Sequence, residues 1–442
     1  MNPGGGPVTI AAGAAPNTGL SVGLTSASAG HHSGTVDVNF NSQAVNSSGL
    51  GTTALPGLTT TVTVSGDVFN GTGVWSGAGN AWATGSQWTD SNGVQAAPGS
   101  FTGYDNVDTA TFNGGGATTV DLNGTSPSLK ALDLSGASGY TIAPGSGSAS
   151  LQFKSGAGAA SLTAASGGHL ISAPVTLASN LTATVTRSGD TLTLAGAISG
   201  SGALTKTGAG TLMLAGINSF SGTPSIVDGG TLLVNGSLAA GCDVTVASGA
   251  GLGGSGSIAG AVSVSGLLAP GAAIGSPAAV ESLSSGSLTF NPGSSFVYQM
   301  DSAAAASVAA DFQKVRGDLT LSGTVNLILS DLSPAAFAPN TTLALISYNG
   351  NWNGGFFTCA GNELGDDEVF TAGANTWQIH YGVSDGGANF ADDYAGGDVA
   401  KGHFINLTNS LTAIPEPSSW LALGCLLGAG ALFRSRPKSL VN

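Results

Sequence analysis

Positive charge is what this sequence most conspicuously lacks. Its 442 residues hold ten Lys and Arg against 24 Asp and Glu, for a net charge of −14. Binding nucleic acid requires clustered cations to neutralise phosphates, so that function class is excluded at the outset. Charge of either sign is scarce too, at 8% of residues where about a quarter is usual. Cysteine is nearly absent. Cys242, Cys359 and Cys425 stand far apart, match no metal-ligand spacing, and leave Cys242–Cys359 as the one candidate disulfide in an oxidising compartment. The five histidines, at 31, 32, 169, 380 and 403, are scattered and form no paired ligand motif. The amino terminus, MNPGGGPVTIAAGAAPNTGL, has neither a basic segment nor an apolar one. It therefore does not read as a secretory leader, and the expectation for an exported chain is a truncated or misplaced start.

Glycine is abundant, at 72 residues, and 41% of the chain is apolar, chiefly Val, Leu, Ile and Ala. Glycine costs about 1 kcal/mol per helix position, while Ser and Thr favour turns and strands. The expectation is an all-β chain with many turns and enough aliphatic side chains to fill a core. The pattern repeats. TLTLAG begins at Thr191, TLMLAG at Thr211 and TLLVNG at Thr231, one short strand every twenty residues. In each, Leu192/Leu194, Leu212/Leu214 and Leu232/Val234 alternate with other residues, and a glycine closes the strand. DVTVASG, AVSVSG, SLTF and DLTLSG continue the chemistry at a looser period. Short strands returning at a fixed interval suit a right-handed parallel β-helix, or solenoid, in which equivalent strands stack about 4.8 Å apart. An antiparallel sandwich is the competing architecture.

Residues 200–236, GSGALTKTGAGTLMLAGINSFSGTPSIVDGGTLLVNG, resemble the autotransporter-associated β-strand repeat of bacterial surface proteins. The resemblance rests on Lys206, Gly208 to Leu212, Asn218, Phe220, Gly222 and Gly229 to Gly236. Pro224 departs from it and assigns its strand to an edge or a corner. VWSGAGNAWATGSQWTDSNG and DTATFNGGG resemble the stretch that opens such regions. LLAPGAAIGSPAAVESLSSGSLTF and DFQKVRGDLTLSGTVNL resemble the one that closes them. The expected organisation is a β-rich segment over 1–69, an opening region over 70–144, the β-helix over 145–270 and a closing β-rich region over 271–400.

Candidate chemistry is thin. Between 191 and 270 the carboxylates are Asp228 and Asp243, at different turn positions, and Lys206 reads as a solvated turn residue. Two acidic stretches lie late in the chain, Asp366, Asp367, Glu368 and Asp385, Asp392, Asp393, Asp398. The second supplies oxygen ligands suited to Ca²⁺ but lacks the spacing of known calcium loops, so it reads as a solvated loop. Trp75, Trp82 and Trp88 offer either a surface for a sugar ring or an aromatic core under the first rungs. No catalytic residue, cofactor site or metal site is assigned.

The end of the chain is built differently. Pro415, Glu416 and Pro417 precede a short apolar segment, 418–433, with Trp420 near its start and Arg434, Arg436 and Lys438 after it. Two prolines hold an extended stretch. An interfacial tryptophan and a basic end set a membrane topology with the C-terminus in the cytoplasm. Residues 413–438 resemble a PEP-CTERM sorting signal. That resemblance implies an exosortase-type processing enzyme as a partner, transient membrane anchoring by one short C-terminal helix, and an exported protein of the envelope, cell surface or matrix. No membrane β-barrel of the autotransporter kind is expected after the repeats. Three functions then compete. The first is a non-enzymatic surface protein, with envelope or matrix polysaccharide as a possible partner. The second is a carbohydrate-binding adhesin on the same scaffold. The third, a polysaccharide lyase or hydrolase, requires converging carboxylates and a cation.

Overall fold

Alternation of apolar and polar residues over three to seven positions, closed by Gly or Ser, gives short strands that bury one face. The computed structural model describes residues 28–42, 53–101, 107–114, 118–136, 139–222, 225–271, 281–304, 310–333, 335–384, 386–389 and 403–410. They are almost entirely strand and turn. The one helical element among them is a single 3₁₀ turn at Gly85–Gln87. The chain divides into two compact units, residues 1–223 and 224–442.

In the first unit, Gly30–Ser42 and Thr53–Val68 form a separate antiparallel pair. From Thr72 onward the chain coils. One parallel ladder joins Thr72–Trp75, Asp108–Phe112, Ser128–Leu134, Ala160–Ala164, Leu181–Val185 and Leu204–Thr207. A second joins Thr118–Asp121, Tyr140–Ala143, His169–Ile171, Thr191–Leu194 and Thr211–Leu214. A third line joins Leu151–Phe153, Val175–Leu177 and Ile198–Gly200. Each circuit of the chain thus lays down three short strands, one per side, in a parallel β-solenoid.

The second unit repeats the plan. Ser225–Val227, Val244–Val246, Val262–Val264, Leu288–Phe290 and Leu319–Leu321 form one ladder. Thr231–Val234, Gly251–Gly254, Leu267–Pro270, Ser295–Met300, Val325–Asp331 and Phe357–Cys359 form another. The third runs through Ser237–Leu238, Ser257–Ile258, Ser282–Ser285, Phe312–Val315 and Thr342–Tyr348. It then changes direction: His403–Asn409, Asn375–Val383 and Val369–Ala372 add antiparallel strands. They occupy the hydrogen-bonding edge that Thr342–Tyr348 would otherwise present to other chains.

The register stacks like on like. Leu192 lies on Leu212 and Leu194 on Leu214 in the first unit, and Leu232 on Leu252 in the second. Val244, Val262, Leu288 and Leu319 form one inward column, and Val246, Val264, Phe290 and Leu321 the next. All eight are buried. Outward positions between them carry Thr245, Ser263, Thr289 and Thr320. Where successive rungs approach at a corner, a side chain does not fit. A Cβ at Gly222 would fall 2.1 Å from the Ala203 nitrogen. Gly208 has φ +79°, and its Cβ would meet the Val185 carbonyl oxygen at 2.3 Å. Cys242 and Cys359 are both free thiols.

Inward and outward positions of one strand should respond very differently to truncation. Leu212→Ala is expected to cost about 2–5 kcal/mol through the cavity it leaves, whereas Thr193→Ala should fall within about 0.5 kcal/mol of the parent. Urea unfolding of the two variants checks this.

Candidate functional site

The residues that distinguish the repeat are consumed by the fold. Lys206 lies on Leu204–Thr207 at an inward position, two residues after buried Leu204. It continues a column of Leu132, Leu162 and Ala183 from one rung to the next. Ala183 is small enough to leave room for the lysine stem above it. Lys206 is 1% exposed, which corrects its sequence reading as a solvated turn residue. Its ammonium donates to the carbonyl oxygens of Thr207 at 2.7 Å and Gly208 at 2.8 Å, so it braces the turn whose glycine has positive φ. Burial lowers its pKa to about 8. Asn218 does similar work at the next corner. Its Oδ1 accepts the Ile198 N–H at 3.0 Å, its Nδ2 donates to the Gly216 carbonyl at 2.9 Å, and it is 1% exposed. Phe220 is buried beside it.

The aromatic residues of the opening region are also interior. Trp75, Trp82 and Trp88 are buried, with ring centroids 4.9 Å apart for Trp75–Trp88 and 4.7 Å for Trp82–Trp88. Trp82 donates to the Pro98 carbonyl and Trp88 to the Trp82 carbonyl, while Phe112 packs against all three. Rings in this state cannot stack a sugar. They cap the first rungs with a dense core.

Asp366 and Asp367 are exposed on a turn beside His380, and the three present ligand atoms within 4.8 Å of one another. Their capacity is partly used. His380 Nδ1 is 2.7 Å from Asp367 Oδ1, and Asp366 Oδ1 accepts the Tyr381 N–H at 2.9 Å. Asp385, Asp392, Asp393 and Asp398 lie outside the described residues. So do Pro415, Glu416, Pro417, Trp420, Arg434, Arg436 and Lys438. No helix among the described residues is long and apolar enough to cross a membrane.

One buried polar group among the described residues was not singled out by the sequence. Asp311 is 0% exposed and accepts N–H groups from Glu281 at 3.0 Å and Gln299 at 3.2 Å. Burial raises its pKa to about 7, against the lowering effect of those two donors. Asn389 accepts the Ala344 N–H at 2.7 Å and donates to the Ala344 carbonyl at 3.0 Å and the Tyr298 hydroxyl at 3.2 Å. These bonds pin the turn at 386–389 to the rungs beneath it. The signal was an aspartate directly before the FQKV strand.

A family model for the passenger-associated transport repeat matches residues 204–234 of the chain. The matched span includes Lys206, Gly208, Asn218, Phe220 and Gly222, whose roles in the rungs have just been described. No curated protein matches the chain.

The buried ammonium sets a pH dependence. A lysine whose folded pKa lies below its usual value costs stability while it stays charged in the fold. That cost is relieved as pH rises from about 8 towards 10.5, because the unfolded chain then binds the extra proton. Stability of the parent should rise across this window relative to Lys206→Met, which has nothing to titrate there. Parallel denaturation curves for the two proteins at pH 7.5, 9 and 10 measure the difference.

Proposed function

We propose that this chain is a non-enzymatic, exported surface protein. Its working part is a passenger-like β-solenoid, and its tail, through Pro415, Glu416 and Pro417, directs it to an exosortase-type processing enzyme. One observation carries the reading. The repeat of residues 204–234 matches a passenger-associated family and sits in a fold of stacked parallel rungs. The characteristic residues of that repeat hold corners and fill the core, which is the business of a scaffold. A solenoid also suits an exterior protein, since an elongated stack grows by adding rungs without enlarging its core. The order of the tail, Pro-Glu-Pro, then an apolar segment opened by Trp420, then Arg434, Arg436 and Lys438, supports transient anchoring with the basic end inside. On this reading the anchor is temporary and the solenoid is released to the envelope, cell surface or matrix.

The processing step has a direct signature. Mass spectrometry of the protein from its native host should find a mature C-terminus that lacks the apolar segment and the basic end. Recovery of residues 418–442 intact in the exported protein would contradict the proposal.

A further inference from the structure

Cations are so few that their placement carries information. Between residues 225 and 410 the described ones are Lys314 and Arg316, and both line one groove of about 360 Å³ in the second unit. Gly236, Gly256, Ser257 and Ser284 are among the residues that complete it. The strand Phe312–Val315 explains the pairing. Val315 points into the core, so Lys314 and Arg316, on either side of it, share the outer face. The ladder places Ser237, Ser257, Ser284, Lys314 and Ser347 on successive rungs of that face, about 4.8 Å apart. Lys314 does not swing free. Its ammonium lies 5.8 Å from the centroid of the Phe312 ring on the same face. Ser347, the next rung along, holds a buried hydroxyl without a hydrogen-bond partner.

Two features mark this groove as built to receive something. In a chain of net charge −14, neither cation is paired with a carboxylate among the described residues. Asp311, directly before the same strand, is fully buried and held by backbone N–H groups. The floor is also kept bare by the close approach of rungs, because a Cβ at Gly256 would lie 2.0 Å from the Gly236 carbonyl oxygen. Main-chain groups and the hydroxyls of Ser255, Ser257 and Ser282 therefore face the groove, with an ammonium and a guanidinium beside them, while Ser284 and Ser347 are buried in its wall.

We infer that this groove binds an acidic polysaccharide, a chain of uronic acids. Its hydroxyls are complementary to those of Ser255, Ser257 and Ser282, and its carboxylates to Lys314 and the forked donors of Arg316. Nucleic acid does not fit, since two cations cannot neutralise a phosphate chain against so negative a protein. A neutral glycan would leave both cations unmatched. A small anion would use the cations and leave these serines unused. The choice of an extracellular polymer rests on the export reading. The groove itself does not, because binding is measured on purified protein whether or not the tail is processed.

Titration calorimetry of the full chain with polygalacturonate, pullulan and inorganic phosphate tests the inference. Polygalacturonate should bind and weaken at least tenfold between 50 and 500 mM NaCl, as an electrostatic contact is screened. Lys314→Gln and Arg316→Gln should each weaken it about tenfold or more, while Arg187→Gln, at an exposed site in the other unit, should leave it unchanged. Arg316 is exposed, so its substitution leaves the core intact, and an unchanged melting curve verifies that. The inference is overturned if polygalacturonate does not bind, if both groove variants bind like the parent, if pullulan binds equally well, or if phosphate competes at the polymer's own affinity.

Discussion

Parallel strands stacked in register at about 4.8 Å bring each inward side chain against its counterpart one circuit away, and everything else in this molecule follows from that contact. A chain so rich in glycine and so poor in charge has no other route to a core. Its strands are two to seven residues long in the coil, so none buries enough alone. Stacking turns isolated Leu and Val residues into continuous columns, such as Val244, Val262, Leu288 and Leu319. Glycine is needed where the rungs come closest, and it appears there: a side chain at Gly208 or Gly222 would collide with the backbone of the preceding circuit.

The same register orders the surface. Outward positions are mainly Thr and Ser, and hydroxyls of neighbouring rungs can bond to each other, as Thr184 and Thr207 do at 2.8 Å. Such a face stays in water without salt bridges, which explains how so few charged residues suffice. Exceptions to the inward–outward rule then acquire meaning. Lys206 and Asp311 are ionisable groups on the wrong side, and each is tied to backbone groups that hold a turn or a neighbouring strand. Lys314 and Arg316 are on the expected side but have no carboxylate partner among the described residues.

Much of this was legible beforehand. The twenty-residue return of TLTLAG and TLMLAG gave the period, and the structure pairs Leu192 with Leu212 as that period requires. Parallel stacking could be read because the strands were too short and too regular for most alternatives. Lys206 was misread because lysine type was weighted over parity. Its position two residues after Leu204 already placed it inward, and Ala183 one circuit earlier supplied the space. The groove was not legible, since Ser257, Ser284 and Lys314 become neighbours only through ladders whose spacing has drifted from twenty residues. Asp366 and Asp367 stood out in the sequence only as an acidic cluster, and they lie on an exposed turn paired in part with His380, a partner thirteen residues on that no local pattern announces.

The central claim is that register between circuits, not local strand preference, holds the chain together. Deletion separates the two. Removing residues 191–210 joins Asp190 to Thr211, whose N–H already bonds the Asp190 carbonyl at 2.9 Å, and takes out one whole circuit. Removing residues 191–200 takes out half and throws the following strands out of step. Far-UV circular dichroism with thermal melting should show a β-rich, cooperative transition for the whole-circuit deletion and its loss for the half-circuit deletion. Equal melting of the two, or collapse of the whole-circuit variant, would contradict the account.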